Sequence, residues 1–189
     1  MITEKTNAIA AVCRALATDS LQEARILARE QYAFAPEPIG KRNYGPVAMT
    51  AVFARDGFID GYSGDRLIHP PVLRVLSQLM PEEFPYHPNW KTDITHASYW
   101  EVGATLDHLV PVSRGGPDKM SNWMTTSMVR NSAKMNWTLE ELGWRLHEPG
   151  TVAEWDGMLG WFLEIGTSTP EVLKGNLKQW LKAAQSAAV

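Results

Sequence analysis

The sequence predicts an α+β fold, with a short strand–loop–strand–helix core and helices on either side of it. Three observations carry this. Apolar residues recur at helical spacing over residues 3–34 and again over 155–187. Between them, residues 105–110 (TLDHLV) and 122–126 read as short strands, and 127–136 as a helix. Gly115 and Gly116 lie between the two strands, where the chain has to turn back tightly. At 189 residues, with 44% hydrophobic and 21% charged residues, the chain is sized for one domain, or one domain with helical arms.

Taken in order, residues 3–17 and 21–34 read as two amphipathic helices, with Ile9, Val12 and Leu16, then Leu21, Ala24, Leu27 and Ala28 at helical intervals. Ser20 followed by Glu23 has the capping-box pattern at the second start. Residues 36–46 (PEPIGKRNYGP) form a loop by their Pro and Gly content. Within that loop Lys41, Arg42, Asn43 and Tyr44 combine charge, amide and aromatic ring, a mixture suited to a nucleic-acid backbone. Residues 47–55 predict a short helix with Met49, Val52 and Phe53 inward, and 55–68 a strand-like and turn-like run punctuated by Gly57, Gly61 and Gly64. Residues 71–80 predict a helix opening near Pro71, with Leu73, Leu76 and Leu79 on one side. A long irregular region, 81–100, is rich in Pro, aromatics and His. His69, His87 and His96 lack close mutual spacing and are read as packed or surface histidines. Thr138 with Glu141 is a second capping box, and helices are expected over 155–165 and 170–187, the last with Thr169 as N-cap and Pro170 at its first position. The domain reading is an arm and basic loop over 1–46, a core over 47–137 and a helical region over 138–189 packed with it as one unit.

Charge and cysteine content narrow the partners. The net charge is -3, so the chain is not a globally basic nucleic-acid binder. The distribution is uneven: residues 101–137 carry four basic residues against three acids, whereas 138–171 carry seven acids against Arg145 alone. A locally positive face remains open to a polyanion. Cys13 is the single cysteine, which excludes an internal disulfide and a Cys-rich zinc site. No run of 18 apolar residues occurs, so no membrane span is expected. The first residues lack a basic start, a long apolar block and a small-residue cleavage site, and a cytoplasmic location is expected.

The chemistry concentrates in residues 105–134. His108 follows Asp107, Asn122 lies fourteen positions after His108, Asn131 nine after that, and Lys134 three further on. A histidine is a suitable general base for water because its ordinary pKa lies near neutrality. A hard divalent cation suits a phosphate, because it serves both charged oxygens. Alternation along a strand sends Asp107 and His108 to opposite sides unless the chain bends there, which a position at the strand end before Pro111 would ease. Asn131 and Lys134, three apart on a helix, share a face.

The parts DHLVPVSRGG, SNW and RNSAK, in this order and spacing, resemble the HNH motif of the ββα-metal endonucleases, over about thirty residues. The spacing of His108, Asn122 and Asn131 is similar to that of the HNH domain of RNA-guided CRISPR nucleases, where the last residue is also Asn. The resemblance implies a ββα-metal core with His108 as general base. It implies Asp107 and Asn131 as oxygen ligands of one divalent cation, Asn122 as the residue that orients His108 and holds the loop, and Lys134 at the phosphate. Carboxylate and amide oxygens suit Mg²⁺ or Mn²⁺ better than Zn²⁺. Many HNH proteins carry two Cys-x-x-Cys pairs for a structural zinc. The counterparts here are Asp60 and Ser63, and Ser127 and Arg130, so no structural zinc is expected. Packing by the aromatic-rich region 67–100 is the expected replacement.

The expected function is therefore metal-dependent endonuclease cleavage of DNA, double-stranded in the first instance. Lys41, Arg42, Arg114, Lys119 and Arg130 are expected along the nucleic acid, which would make binding salt-dependent. RNA or structured nucleic acid as substrate, a non-catalytic DNA-binding module with the same fold, and a toxin nuclease held by an inhibitor stay open as alternatives. A homodimer would pair two sites for double-strand cutting, and a monomer would nick.

Overall fold

A computed structural model describes residues 2–35 and 44–187. The chain divides into two compact units, Met1–Lys41 and Arg42–Val189. In the first, α1 (Ile2–Ala17) and α2 (Leu21–Gln31) pack together. Their buried residues are alanines, Ala8, Ala15 and Ala24, whereas Ile9, Leu16 and Leu21 are exposed. Ser20 is the N-cap of α2 but makes no side-chain capping bond, so the capping box expected there is not formed.

The second unit is a mixed helix and two-strand assembly. Helix α3 (Pro46–Arg55) starts at a proline, whose fixed φ fits the first helical position, and buries Thr50, Val52 and Phe53. Helix α4 (Pro70–Leu79) starts the same way and buries Val72, Leu73 and Val75, while Leu79 is exposed. The apolar stripe is thus rotated from the leucine spacing, because the β-branched valines face the core. Between them the chain turns at residues 60–64 and brings Ile59 beside Arg66 in an isolated antiparallel bridge. A four-residue helix α5 (Ser98–Glu101) leads into the sheet.

The sheet is one antiparallel pair, β1 (Ala104–His108) and β2 (Trp123–Ser127), in a register that sets Leu106 against Thr125 and His108 against Trp123. Helix α6 (Met128–Lys134) follows β2 directly, with Ser127 Oγ accepting the Arg130 N–H as its cap. Helix α7 (Leu139–Leu142) has the complete Thr138–Glu141 capping box but ends after four residues, where Gly143 takes φ +67°. Helix α8 (Leu159–Ser168) begins four residues later than the periodicity predicts. The expected helix over 170–187 is split into a 3-10 turn at Pro170–Val172 and α9 (Leu177–Ala187), with Gly175 at φ +61° in the break. Thr169 makes no capping bond there.

Helix α9 packs on α3, and the C-terminal region shares one core with the sheet. Phe53, Phe58, Leu67, Leu106, Trp123, Phe162 and Trp180 belong to that cluster. In its centre His69 is fully buried among Phe53, Phe58, Phe162 and Trp180.

Two strands alone leave two open edges of unpaired backbone groups, and here side chains meet groups on both, with the Gly61 N–H on the Thr125 carbonyl and the Ile68 carbonyl on the Ala104 N–H. On the outer edge of β2, Asp56 accepts the Thr125 N–H at 2.9 Å and Asp60 the Ser127 N–H at 2.8 Å. The Arg55 guanidinium donates to the Trp123 carbonyl at 2.7 Å while pairing with Asp56. On the outer edge of β1, the Leu106 carbonyl accepts from Asn131 Nδ2 at 2.9 Å and the His108 carbonyl from Lys134 Nζ at 2.7 Å. The turn holding Asp60 and the start of α6 are thus joined through one buried carboxylate, which accepts from the Ser127 N–H and from Thr126 Oγ1. That polar link stands beside the packing expected from residues 67–100, of which Leu67, Val72 and Val75 share the core with Leu106 and Trp123. Among the described residues no helix is long and apolar enough to cross a membrane.

Candidate active site

His108 ends β1, and the register places its ring on the same face as Trp123. Both strands converge there on the loop 109–122. Pro111 and a 3-10 turn at Val112–Arg114 start the loop, and Gly115 turns it at φ +82°. Gly116 lies so close to the Val110 carbonyl that a Cβ would collide with it, so this return requires glycine. Asn122, buried at the loop's end, ties it shut. Its Oδ1 accepts the Val110 N–H, and its Nδ2 donates to the carbonyls of Val110 and Pro117, each at 2.9 Å. The loop-holding part of Asn122's expected role thus has a direct geometric counterpart. The contact that orients the His108 ring comes from another residue.

That residue is Asp118. Its Oδ1 lies 2.9 Å from His108 Nε2, and Trp123 Nε1–H lies 3.0 Å from the same oxygen and 3.1 Å from Nε2. An ionised carboxylate only accepts, so Nε2 has to carry the proton, with the Trp123 N–H directed to Asp118. The opposite tautomer would set the Nε2 lone pair against the carboxylate. In the neutral ring this tautomer makes Nδ1 the acceptor nitrogen, and among the described residues no hydrogen bond reaches it. The His108 side chain is only 8% exposed, and Asp118 31%. Tyr44, edge-on to Trp123 at 5.6 Å, closes the ring's other flank.

Asp107 faces the other way, as strand alternation requires. Its Oδ2 accepts from the Tyr62 hydroxyl at 2.8 Å and pairs with Lys134 Nζ at 2.9 Å. Its Oδ1 curls back onto the strand to accept the His108 N–H at 2.7 Å. Burial, then the neighbouring Asp107 carboxylate, push the Tyr62 hydroxyl well above its ordinary pKa, so it stays a donor. Lys134 is fully buried between Asp107 and the His108 carbonyl. The expectation that it meets phosphate does not match this geometry: the helix face it shares with Asn131 points at the strand edge, where its ammonium braces Asp107.

Asp107, His108 and Asn131 nevertheless line one cleft of about 490 Å³, together with Tyr44, Pro111 and Met128. Asn131 gives its Nδ2 to the Leu106 carbonyl, and no hydrogen bond reaches its Oδ1 among the described residues. A carboxylate oxygen has two lone pairs, and Asp107 Oδ1 uses one of them. Asn131 Oδ1 and Asp107 Oδ1 are thus hard oxygen donors with capacity left, a set that fits a Mg²⁺-like ion completed by water and phosphate. Among the described residues no group of three or more His, Cys, Asp or Glu is placed to hold a metal ion.

The other expected contacts are dispersed. Arg114 pairs with Glu141 at 2.9 Å and lies over the Trp137 ring, where surface screening makes the pair weak and releasable. Arg130 and Lys119 are exposed. Lys41 and Arg42 lie outside the described residues. Asp118, Tyr62 and Arg55 escape a reading by spacing, because a loop acid and residues 45 or more positions from their partners carry no periodic signal. Comparison with protein-family models, curated proteins and solved structures returned no match.

Proposed function

We propose that the chain is a divalent-cation-dependent endonuclease of the HNH type that hydrolyses nucleic-acid phosphodiester bonds, DNA in the first instance. One observation carries this reading. His108 has its Nε2 fixed by Asp118, which leaves Nδ1 as an acceptor, and its ring lines a cleft shared with the oxygen donors of Asp107 and Asn131.

In this mechanism His108 Nδ1 accepts a proton from the attacking water as the water oxygen bonds to phosphorus and the P–O bond to the leaving sugar oxygen breaks, that oxygen taking its proton from solvent water. The imidazolium that forms is stabilised by Asp118, whose charge is already in place and needs no rearrangement. Asp107 and Asn131 would hold the cation, Mg²⁺ or Mn²⁺, which when bound stabilises charge on the phosphate. Tyr62 and Lys134 fix the Asp107 carboxylate so that only Oδ1 has a lone pair to offer. Asn122 keeps the loop, and Asp118 with it, at a set distance from β1.

Plasmid cleavage tests the reading, with Mg²⁺, Mn²⁺ or EDTA, comparing the native chain with His108→Ala. The expected result is metal-dependent nicking or cutting that the substitution abolishes while binding persists. Equal cleavage by both proteins removes His108 from the chemistry. Binding without cleavage across metals and substrates identifies a non-catalytic module.

A further inference from the structure

We propose that the aromatic cavity beside this cleft is a nucleobase site, which takes one unpaired base of the strand presented to His108. The proposal relies on the nuclease reading for the strand, and on separate residues for the pocket. The cavity has a volume of about 290 Å³. Tyr86, Trp90 and Tyr99 wall it, with Arg74 at its rim. Thr105 and Met128 line both this cavity and the cleft, so the two open on either side of a common wall.

The walls are aromatic and rigid. Tyr86 and Tyr99 are 5.0 Å apart and inclined by 39°, and Trp90 stands at 63° to Tyr99 at 5.7 Å. The three rings pack on one another in tilted pairs and line the cavity with the surface that this packing leaves. Tyr99 is locked because its hydroxyl bonds Ser77 and the Leu73 carbonyl. The Arg74 guanidinium lies 3.9 Å over the Tyr86 ring and presents a second planar, cationic face beside a polyanion's path. Trp90 holds φ +48°, a left-handed conformation that a bulky residue adopts only when its surroundings impose it. The His87 carbonyl secures it by accepting the Trp90 N–H. At the polar margin, the side chains of Thr105 and Asn176 make no hydrogen bond among the described residues and can meet a base edge.

A paired base inside a duplex has both faces covered by its neighbours and cannot enter such a cavity. An everted or single-stranded base can. The pocket therefore shifts the favoured substrate from regular duplex toward nucleic acid with an unpaired nucleotide next to the cut.

The test is binding of the full chain, in EDTA, to a short single-stranded thymidine oligomer and to an abasic oligomer of equal length, by fluorescence anisotropy. Stacking on aromatic side chains predicts that the base-bearing oligomer binds on the order of tenfold more tightly. Trp90→Ala and Tyr86→Ala are expected to erase that preference and leave abasic binding unchanged, while Trp90→Phe retains most of it. Equal affinity of the native chain for both oligomers overturns the proposal, as does a loss that affects both oligomers alike in folded variants. Base preference without plasmid cleavage sinks the nuclease reading and leaves the pocket standing. Cleavage without base preference does the reverse.

Discussion

His69 makes the chain sensitive to acid in a calculable way. The ring is fully buried among four aromatic rings, and neither nitrogen has a hydrogen-bond partner among the described residues. Burial alone pulls its pKa from the ordinary 6.5 down to about 3. The unfolded chain binds a proton at this ring near pH 6.5, and the folded chain does not until about pH 3. Stability is therefore full above pH 6.5 and declines as pH falls, by about 1.4 kcal/mol per pH unit inside that window. At pH 5 the loss from this one ring is about 2 kcal/mol. For a chain of this length that lowers Tm by roughly 4–8 °C. Urea titrations of the native chain and of His69→Phe at pH 7 and pH 5 isolate the effect as a difference of differences, which is insensitive to whether phenylalanine packs better or worse. The native chain should lose about 2 kcal/mol more than the variant between the two pH values. An identical pH dependence in both proteins would falsify the account, because it would mean that the ring is solvated or partnered in solution.

Other outcomes follow from the polar framework. Asp118→Asn offers His108 an amide in place of an obligate acceptor, allowing the wrong tautomer, and should lower kcat by roughly 10³–10⁴-fold with little change in KM, as tautomer loss does in hydrolytic triads; single-turnover cleavage measures it, and an undiminished rate removes Asp118 from the mechanism. Lys134→Met leaves the Asp107 carboxylate buried without its cation and should cost about 3–5 kcal/mol. A urea midpoint equal to the native chain's would show that the pair is dispensable. Asp60→Ala removes the acceptor of three donors, the Tyr62 and Ser127 N–H groups and the Thr126 hydroxyl, and should cost about 3 kcal/mol or more, each buried orphan contributing about 1–3. Adding Zn²⁺ should restore nothing, because no sulfur ligands flank that turn, and recovery with zinc would contradict the hydrogen-bonded link.

The strands and α6 were legible within a residue or two, because apolar runs, Gly115, Pro111 and the Ser127 cap are local signals. The shared cleft of Asp107, His108 and Asn131 was legible as spacing. What spacing could not supply was the direction of each polar group. Lys134 shares a face with Asn131, yet that face looks at backbone carbonyls. Asp118 lies in a loop with no repeat, and its partnership with His108 depends on where Asn122 pins that loop. The helix over 170–187 failed as a single element because residues 173–176 leave the helix, with Gly175 at φ +61° in a turn that apolar spacing does not reveal. In α2 the buried Ala24 lay on the periodic face, whereas Ala8 and Ala15 of α1 eluded a reading that ranks large apolar residues first.

The sealed edges of the sheet bind the chemistry to the fold's integrity. Asn131 and Lys134 are at once plugs on the backbone of β1 and neighbours of Asp107 and His108. A slip of β1 by one residue would flip every side chain to the other face, burying His108 where Asp107 now meets Tyr62 and Lys134. Lifting α6 would strip both plugs together, and the ribbon and the cleft would come apart in the same event. On gradual denaturation, amide protection along β1 and the geometry of the cleft should vanish as a single step, and the population of molecules at any moment should consist of chains with both intact and chains with neither.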